Sequence, residues 1–234
     1  MIKAELIKRS PLRILEKSTH GGVTAGQVGI IASRKGVGKT ACLVHIATDR
    51  LLQGKHVIHV SFAGRTDHII TWYEDIFREI AKKRNLESAM DIHDDLIKHR
   101  VIMNFSLDGV PVEKVLTSLR AMIEEGSFAA DLIIIDGFDF YVQTAEDLAK
   151  IKAFAAELGV SVWLSASLRG DDPLYDSRGV PFALKAFEAE ADVIVTLAPV
   201  AAFIRLSLVK DHERQIQESL HLKLDTKSLL IVEE

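Results

Sequence analysis

Short, strongly apolar runs recur along the chain, and longer amphipathic segments separate them. Six of these runs are rich in Val, Ile and Leu, which is typical of parallel β-strands that are covered on both faces. They lie at residues 27–33, 56–62, 100–106, 131–136, 160–166 and 191–197. Because strands alternate with helical segments, the pattern predicts an α/β fold with a mostly parallel sheet and helices on both faces.

The segments between the strands have the residue spacing of helices that pack one face against a sheet. One helix is expected to begin near Gly38 and to end at Gly54, where glycine can adopt the left-handed conformation. Another has Thr144 as its candidate N-cap and Gly159 as its stop. Each of these helices would connect two strands of the sheet.

The last quarter of the chain has a different, alternating pattern. Apolar and polar positions alternate over residues 203–210 and again over 218–225, while residues 211–217 between them are mostly polar. This pattern predicts an antiparallel β-hairpin that is added to the parallel sheet, with a candidate further strand at 229–234.

Composition narrows the class of protein without pointing to a charged partner. The 234 residues include 29 Lys and Arg and 33 Asp and Glu, a net charge of −4 that gives no general attraction to nucleic acid or membranes. The single cysteine, Cys42, excludes an internal disulfide, and no apolar signal or membrane span is evident. Residues 1–234 are therefore expected to form one cytoplasmic domain, with residues 1–20 as an N-terminal lead-in.

The clearest chemical motif lies between the first strand and the first helix. The sequence ASRKGVGKT ends like a phosphate-binding loop, although Ser33 stands where the first glycine would be. In such a loop, backbone amides surround the phosphates, the lysine contacts the β- and γ-phosphates, and the hydroxyl binds Mg²⁺. The predicted nucleotide-binding residues are Ser33, Arg34, Lys35, Gly36, Val37, Gly38, Lys39, Thr40 and Ala41.

A carboxylate is expected near this loop, because Mg²⁺ prefers oxygen ligands. Asp136 ends the most apolar strand of the chain, and Asp139 follows it closely. Thr40 and Asp136 are therefore the predicted metal ligands, and ATP and Mg²⁺ are the predicted cofactors. The loop alone does not distinguish ATP from GTP.

Several blocks of the chain resemble, in order and spacing, the RecA-like P-loop ATPase core of KaiC and the replicative helicases. They comprise residues 21–47, 132–140, 162–167, 189–197 and 204–225. The resemblance implies a RecA-like sheet, binding of ATP·Mg²⁺, and rings or filaments with nucleotide between subunits. A homo-oligomer is therefore expected.

Two positions that serve hydrolysis in that family differ in this chain. The family's water-activating glutamate falls on Ala63, which cannot accept a proton, and Asp67 is the nearest acid. The family's polar phosphate sensor falls on Ala166, and Ser165 and Ser167 beside it are weaker hydrogen-bonding residues. No residue is therefore assigned a catalytic role.

The family's Lys-x-Arg pair, which reaches a neighbour's phosphate, corresponds here to Lys210 and His212. Lys210 keeps the predicted contact with a neighbouring subunit's nucleotide, whereas a partly neutral histidine is a poorer substitute for a guanidinium. Binding residues are thus kept and hydrolysis residues are missing. This combination predicts a nucleotide-dependent regulator or assembly switch with slow or no hydrolysis, and such a switch is expected to have a protein partner.

Two other interpretations stay open at this point. The loop also resembles that of the ParA and MinD group of dimeric ATPases, but Arg34 stands at the signature lysine of that group and Lys35 at its first glycine. The other interpretation is a nucleic-acid-binding ring or filament that uses the segment 168–187. Acidic and basic residues are interleaved in that segment, so strong binding to nucleic acid is not expected.

Overall fold

The computed structural model describes residues 2–62, 67–84, 89–105, 109–170 and 174–234. Its strands are β1 (Val28–Arg34), β2 (Val57–Ser61), β3 (Arg100–Asn104), β4 (Leu132–Asp136), β5 (Ser161–Leu168), β6 (Val193–Val200), β7 (Phe203–Asp211), β8 (Arg214–Asp225) and β9 (Ile231–Glu233). Its α-helices are α1 (Ile2–Lys8), α2 (Leu12–Ser18), α3 (Lys39–Leu52), α4 (Asp67–Arg84), α5 (Ala89–Lys98), α6 (Val112–Arg120) and α7 (Ala145–Leu158).

All of these strands belong to one sheet with the order β3-β2-β4-β5-β1-β6-β7-β8-β9. The strands from β3 to β6 in that order are parallel to their neighbours, and β7, β8 and β9 are added in antiparallel fashion. The predicted α/β class, the mostly parallel sheet and the antiparallel C-terminal addition are confirmed. The strands β1, β2, β4 and β5 end at the same edge of the sheet, which is where ligands bind in open α/β sheets.

Helices cover both faces of the sheet and bury two apolar layers. On one face, Leu43 of α3 and Ile76 of α4 are buried. On the other face, Val115 of α6 and Leu148 of α7 are buried. The N-terminal segment forms α1 and α2, and Leu12 packs into the same layer as α3, so this segment is part of the packed fold. No helix in the described ranges is long and apolar enough to cross a membrane.

The predicted helix ends are confirmed in detail. Thr144 is the N-cap of α7: its hydroxyl accepts a hydrogen bond from the Asp147 amide at 3.2 Å, and the Asp147 carboxylate accepts one from the Thr144 amide at 2.9 Å. Gly54 and Gly159 follow α3 and α7 with φ of +79° and +65°, in the left-handed region. These contacts fix where each helix meets the sheet.

The predicted loop of the C-terminal hairpin is wrong in length. Residues 212–213 alone join β7 to β8, and His212 has a φ of +54° in this tight turn. β8 begins at Arg214, four residues before the predicted start of the strand at 218. Arg214, Gln215 and Gln217 are exposed on a paired strand, whereas Ile216 packs partly against the core, so this mostly polar run does not mark a loop.

Two buried histidines link the stability of the fold to pH. His45 and His59 are 4% and 0% exposed, and burial lowers the pKa of each to about 4 from an ordinary value of 6.5. The neutral ring of His45 accepts a hydrogen bond at Nδ1 from the Ile231 amide at 2.9 Å. Between these two pH values the unfolded chain binds protons more tightly than the folded chain does. The contribution of the neutral histidines to stability is therefore present above the unfolded-state pKa of about 6.5 and is lost as the pH falls towards 4.

We expect the free energy of unfolding to fall by about 3 kcal/mol between pH 7 and pH 4 through His45, with a further loss of the same sign through His59. Urea unfolding at a series of pH values measures this loss. In the variant His45→Gln, the amide oxygen can accept the same hydrogen bond and does not titrate. This variant should lose about 3 kcal/mol less than the wild type. An equal loss in both proteins would show that His45 is not responsible.

Candidate nucleotide site

The predicted phosphate loop joins β1 to α3 at the carboxyl edge of the sheet. β1 ends at Arg34, and α3 begins at Lys39 directly after Gly38. Gly36 and Gly38 have φ of +81° and +113°, values that favour glycine over other residues. The chain therefore turns sharply between a buried strand and a helix. The first amides of α3 have no partner within the helix and are available to an anion.

The side chain of Lys39 is folded back onto this loop. Its ammonium donates hydrogen bonds to the carbonyl oxygens of Ser33 at 3.2 Å and Arg34 at 3.0 Å, and the residue is only 7% exposed. Burial lowers the pKa of Lys39 from its ordinary value, while the charge of Asp136 opposes this shift. Because these carbonyls and the Ser33 hydroxyl, 3.5 Å away, are neutral acceptors, the positive charge remains available to phosphate oxygens.

The two predicted metal ligands are in direct contact. The Thr40 hydroxyl donates a hydrogen bond to Oδ2 of Asp136 at 2.7 Å, although the residues are far apart in sequence. A hydroxyl and a carboxylate oxygen at this spacing fit Mg²⁺, which takes oxygen ligands and keeps several waters. In the described part of the chain, no three His, Cys, Asp or Glu side chains converge on a metal position. The oxygen pair of Thr40 and Asp136 therefore suits Mg²⁺ better than a metal that needs a cluster of protein ligands.

Ser165 is the partner of this pair that the sequence does not reveal. Its hydroxyl donates to Oδ1 of Asp136 at 2.6 Å and accepts from the Gly137 amide at 2.8 Å. From the sequence, Ser165 is expected only as a weaker hydrogen-bonding residue beside Ala166, the position of the family's phosphate sensor, and not as a partner of Asp136. The structure places β5 beside β4, so Ser165 fixes the carboxylate of Asp136. The signal that could have revealed it is a hydroxyl near the end of a strand adjacent to the one that ends in Asp136.

The position of the missing glutamate, Ala63, lies outside the described residues. β2 ends at Ser61, whose partner in the register of the parallel pair is Asp136. The amide of Phe62 also donates to the carbonyl oxygen of Asp136 at 3.2 Å. The end of β2 is therefore next to the candidate metal ligand.

Lys210 lies near the amino-terminal ends of the parallel strands, whereas the loop lies at their carboxyl ends. In the antiparallel ladder it pairs with Ile194, near the start of β6. Its ammonium donates hydrogen bonds to the carbonyl oxygens of Ala191, at 2.6 Å, and Glu188. His212 is nearby, and its Nδ1 is 2.7 Å from Asp211. The structure does not bring Lys210 to the phosphate loop of its own chain, so the predicted contact requires a second subunit.

The described cations of the segment 168–187, which is the candidate for nucleic-acid contact, lie close to carboxylates. Arg178 forms ion pairs with Asp176 at 2.9 Å and Glu188 at 3.1 Å. Arg169 forms one with Asp139 at 2.7 Å. In the described part of the segment, the arginines are therefore ion-paired and do not form an open basic surface.

The two loop glycines offer a matched test of the loop geometry. A methyl group at Gly38 would lie 2.3 Å from Cδ2 of the fully buried Leu224, whereas nothing lies within 4 Å of one at Gly36. We expect Gly36→Ala to cost about 1 kcal/mol in the free energy of unfolding, from backbone strain alone. Gly38→Ala adds overpacking and should cost about 2–4 kcal/mol. Urea unfolding of both variants measures the difference, and equal losses would contradict this geometry.

Comparison with known proteins does not assign the chain to a family. No protein-family model matches the chain, and a search of curated proteins finds no similar sequence. The function must therefore be inferred from the residues of the site.

Proposed function

We propose that the chain binds ATP·Mg²⁺ and acts as a nucleotide-dependent switch with slow or no hydrolysis. The observation that carries this proposal is the 2.7 Å hydrogen bond between Asp136 and Thr40, the residue that directly follows Lys39. This contact connects the residue that would bind Mg²⁺ at the start of α3 with the carboxylate at the end of β4. A glycine turn that only capped a helix would not require such a partner.

Each residue of the site has a distinct part in this proposal. Lys39 and the first amides of α3 would hold the β- and γ-phosphates. Thr40 and Asp136 would hold Mg²⁺, which neutralises phosphate charge when bound. Ser165 would keep the Asp136 carboxylate in a fixed orientation.

The slow hydrolysis in this proposal rests on the residues that would activate water. The resemblance to RecA-like ATPases puts an alanine, Ala63, at the position of the general base. The loss of a positioned base lowers a rate by about 10²–10⁴-fold. Ala166 occupies the position of the phosphate sensor, and the hydroxyl of the adjacent Ser165 is already bonded to Asp136. A homo-oligomer, in which Lys210 contacts a neighbour's nucleotide, belongs to the same proposal.

Isothermal titration with ATP, in the presence of Mg²⁺ or EDTA, tests the metal site. We expect Mg²⁺ to increase the affinity of the wild type for ATP, and Asp136→Asn to reduce the affinity in Mg²⁺ by about tenfold or more. The control is Asp131→Asn. Asp131 directly precedes β4, at the end of the strand opposite to Asp136, and pairs with Lys55. An equal effect of Mg²⁺ on wild type and Asp136→Asn would rule out Asp136 as the metal ligand.

A further inference from the structure

A cavity of about 490 Å³ opens at the carboxyl edge of the sheet, between α6, α7 and the ends of β4 and β5. Its walls are largely apolar and include Phe62, Val115 and Leu116. Sites for small molecules have volumes of roughly 300–1,000 Å³ and similarly apolar walls. Val142 also lines this cavity and is 65% exposed, so part of the apolar lining faces solvent. A bound molecule could cover this surface.

Three polar side chains that line the cavity are free to bind a ligand. Across the described ranges, the side chains of Lys35, Gln143 and Ser167 form no hydrogen bond or ion pair. They supply a cation, an amide and a hydroxyl, all of which can donate a hydrogen bond to an oxyanion. The cavity therefore combines an apolar wall with donors that suit a negatively charged group.

The acidic side chain at the cavity is already paired within the chain. Asp139 accepts a hydrogen bond from Arg169 at 2.7 Å. The guanidinium of Arg169 lies 5.0 Å from the ring centroid of Tyr141, and the Tyr141 hydroxyl accepts from the Arg169 amide at 2.8 Å. The charge of Asp139 is thus neutralised, so it does not repel an anion as a free carboxylate would. An ordered wall also lowers the entropic cost of binding.

We propose that this cavity is a second ligand site, which binds a small molecule with an apolar body and one anionic group such as a carboxylate. The anionic group contacts Lys35, Gln143 and Ser167, and the apolar body lies against Phe62 and Leu116. The site adjoins the candidate nucleotide site through Lys35. It does not depend on the proposed function, because a ligand can occupy it without nucleotide.

Anilinonaphthalene sulfonate, which has an aromatic body and one anionic group, is a suitable probe for the purified full chain without nucleotide. We expect its fluorescence to saturate at one probe per chain. Val142→Glu should weaken binding about fivefold through charge repulsion, whereas Val142→Lys should not weaken it. Leu116→Trp fills the cavity and should weaken binding about tenfold or more. Val142 is exposed, so its two variants remain informative even if Leu116→Trp does not fold.

The control is a second cavity, of about 210 Å³, which is lined by residues that include His45 and Lys83. Lys83→Glu makes a charge change there and should leave the affinity for the probe unchanged. The proposal is overturned if the fluorescence rises without saturation, or if the two Val142 variants bind the probe equally. It is also overturned if Lys83→Glu weakens binding as much as Val142→Glu does.

Discussion

Replacement of Lys39 by alanine is expected to lower the affinity for ATP about 100-fold, because charge-assisted hydrogen bonds to phosphate oxygens are lost. The ammonium of Lys39 is held over the loop by two backbone carbonyls, and it forms no ion pair with any residue in the described ranges. The variant should therefore keep its fold, as judged by circular dichroism. Isothermal titration of wild type and variant with ATP and Mg²⁺ measures the loss.

The matched control for this experiment is Lys55→Ala. Lys55 is exposed and pairs with Asp131 at 2.9 Å, beside the start of β4 and away from the phosphate loop. Like Lys39→Ala, the Lys55→Ala substitution removes one positive charge from the chain, so it controls for any general electrostatic effect on ATP binding. ATP binding that is unchanged in Lys39→Ala, or equally weakened in Lys55→Ala, would show that the loop lysine does not hold the nucleotide.

Replacement of Ala63 by glutamate is expected to raise the rate of ATP hydrolysis about 10²–10⁴-fold, the usual contribution of a positioned general base. Ala63 follows the last residue of β2, Ser61, by two positions, and Ser61 pairs in register with Asp136. A phosphate-release assay under saturating ATP and Mg²⁺ measures the rate. Such a gain would mean that only the base is missing from an otherwise complete site.

Ala63→Gln is the control for this gain, since glutamine has nearly the size of glutamate but cannot act as a general base. It should hydrolyse ATP as slowly as the wild type. Asp67→Asn tests whether the nearest acid supports any residual hydrolysis in the wild type. A rate in Ala63→Gln as high as that in Ala63→Glu would exclude the general-base explanation.

Much of the fold could be predicted because the chain has a strong local pattern. The apolar strand that ends at Asp136 and the helix capped by Thr144 are each defined by a few adjacent residues. The hairpin turn at His212 could not be placed in this way, because the polar start of β8 is exposed on a paired strand. The packing of α1 and α2 against the sheet was also not predictable, since it depends on contacts that are distant in sequence.

The candidate site could be predicted in part for the same reason. Lys39 and Thr40 belong to a local motif, and Asp136 has a recognisable place at a strand end. The role of Ser165 depends on the order of strands in the sheet, which sets β5 beside β4. The hydrogen bonds of Lys210 to backbone carbonyls likewise arise only from the folded chain.

A single-turnover experiment with radiolabelled ATP and Mg²⁺, and with the protein in excess, tests the central claim that the chain binds ATP and cleaves it slowly or not at all. Filter binding followed by chromatography measures both the retained nucleotide and its cleavage. We expect the label to be retained as ATP, with conversion to ADP slower than about 0.01 s⁻¹, and Lys39→Ala to retain little label. Cleavage at about 1 s⁻¹ or faster that is lost in Lys39→Ala, or failure of the wild type to retain any label, would contradict the claim.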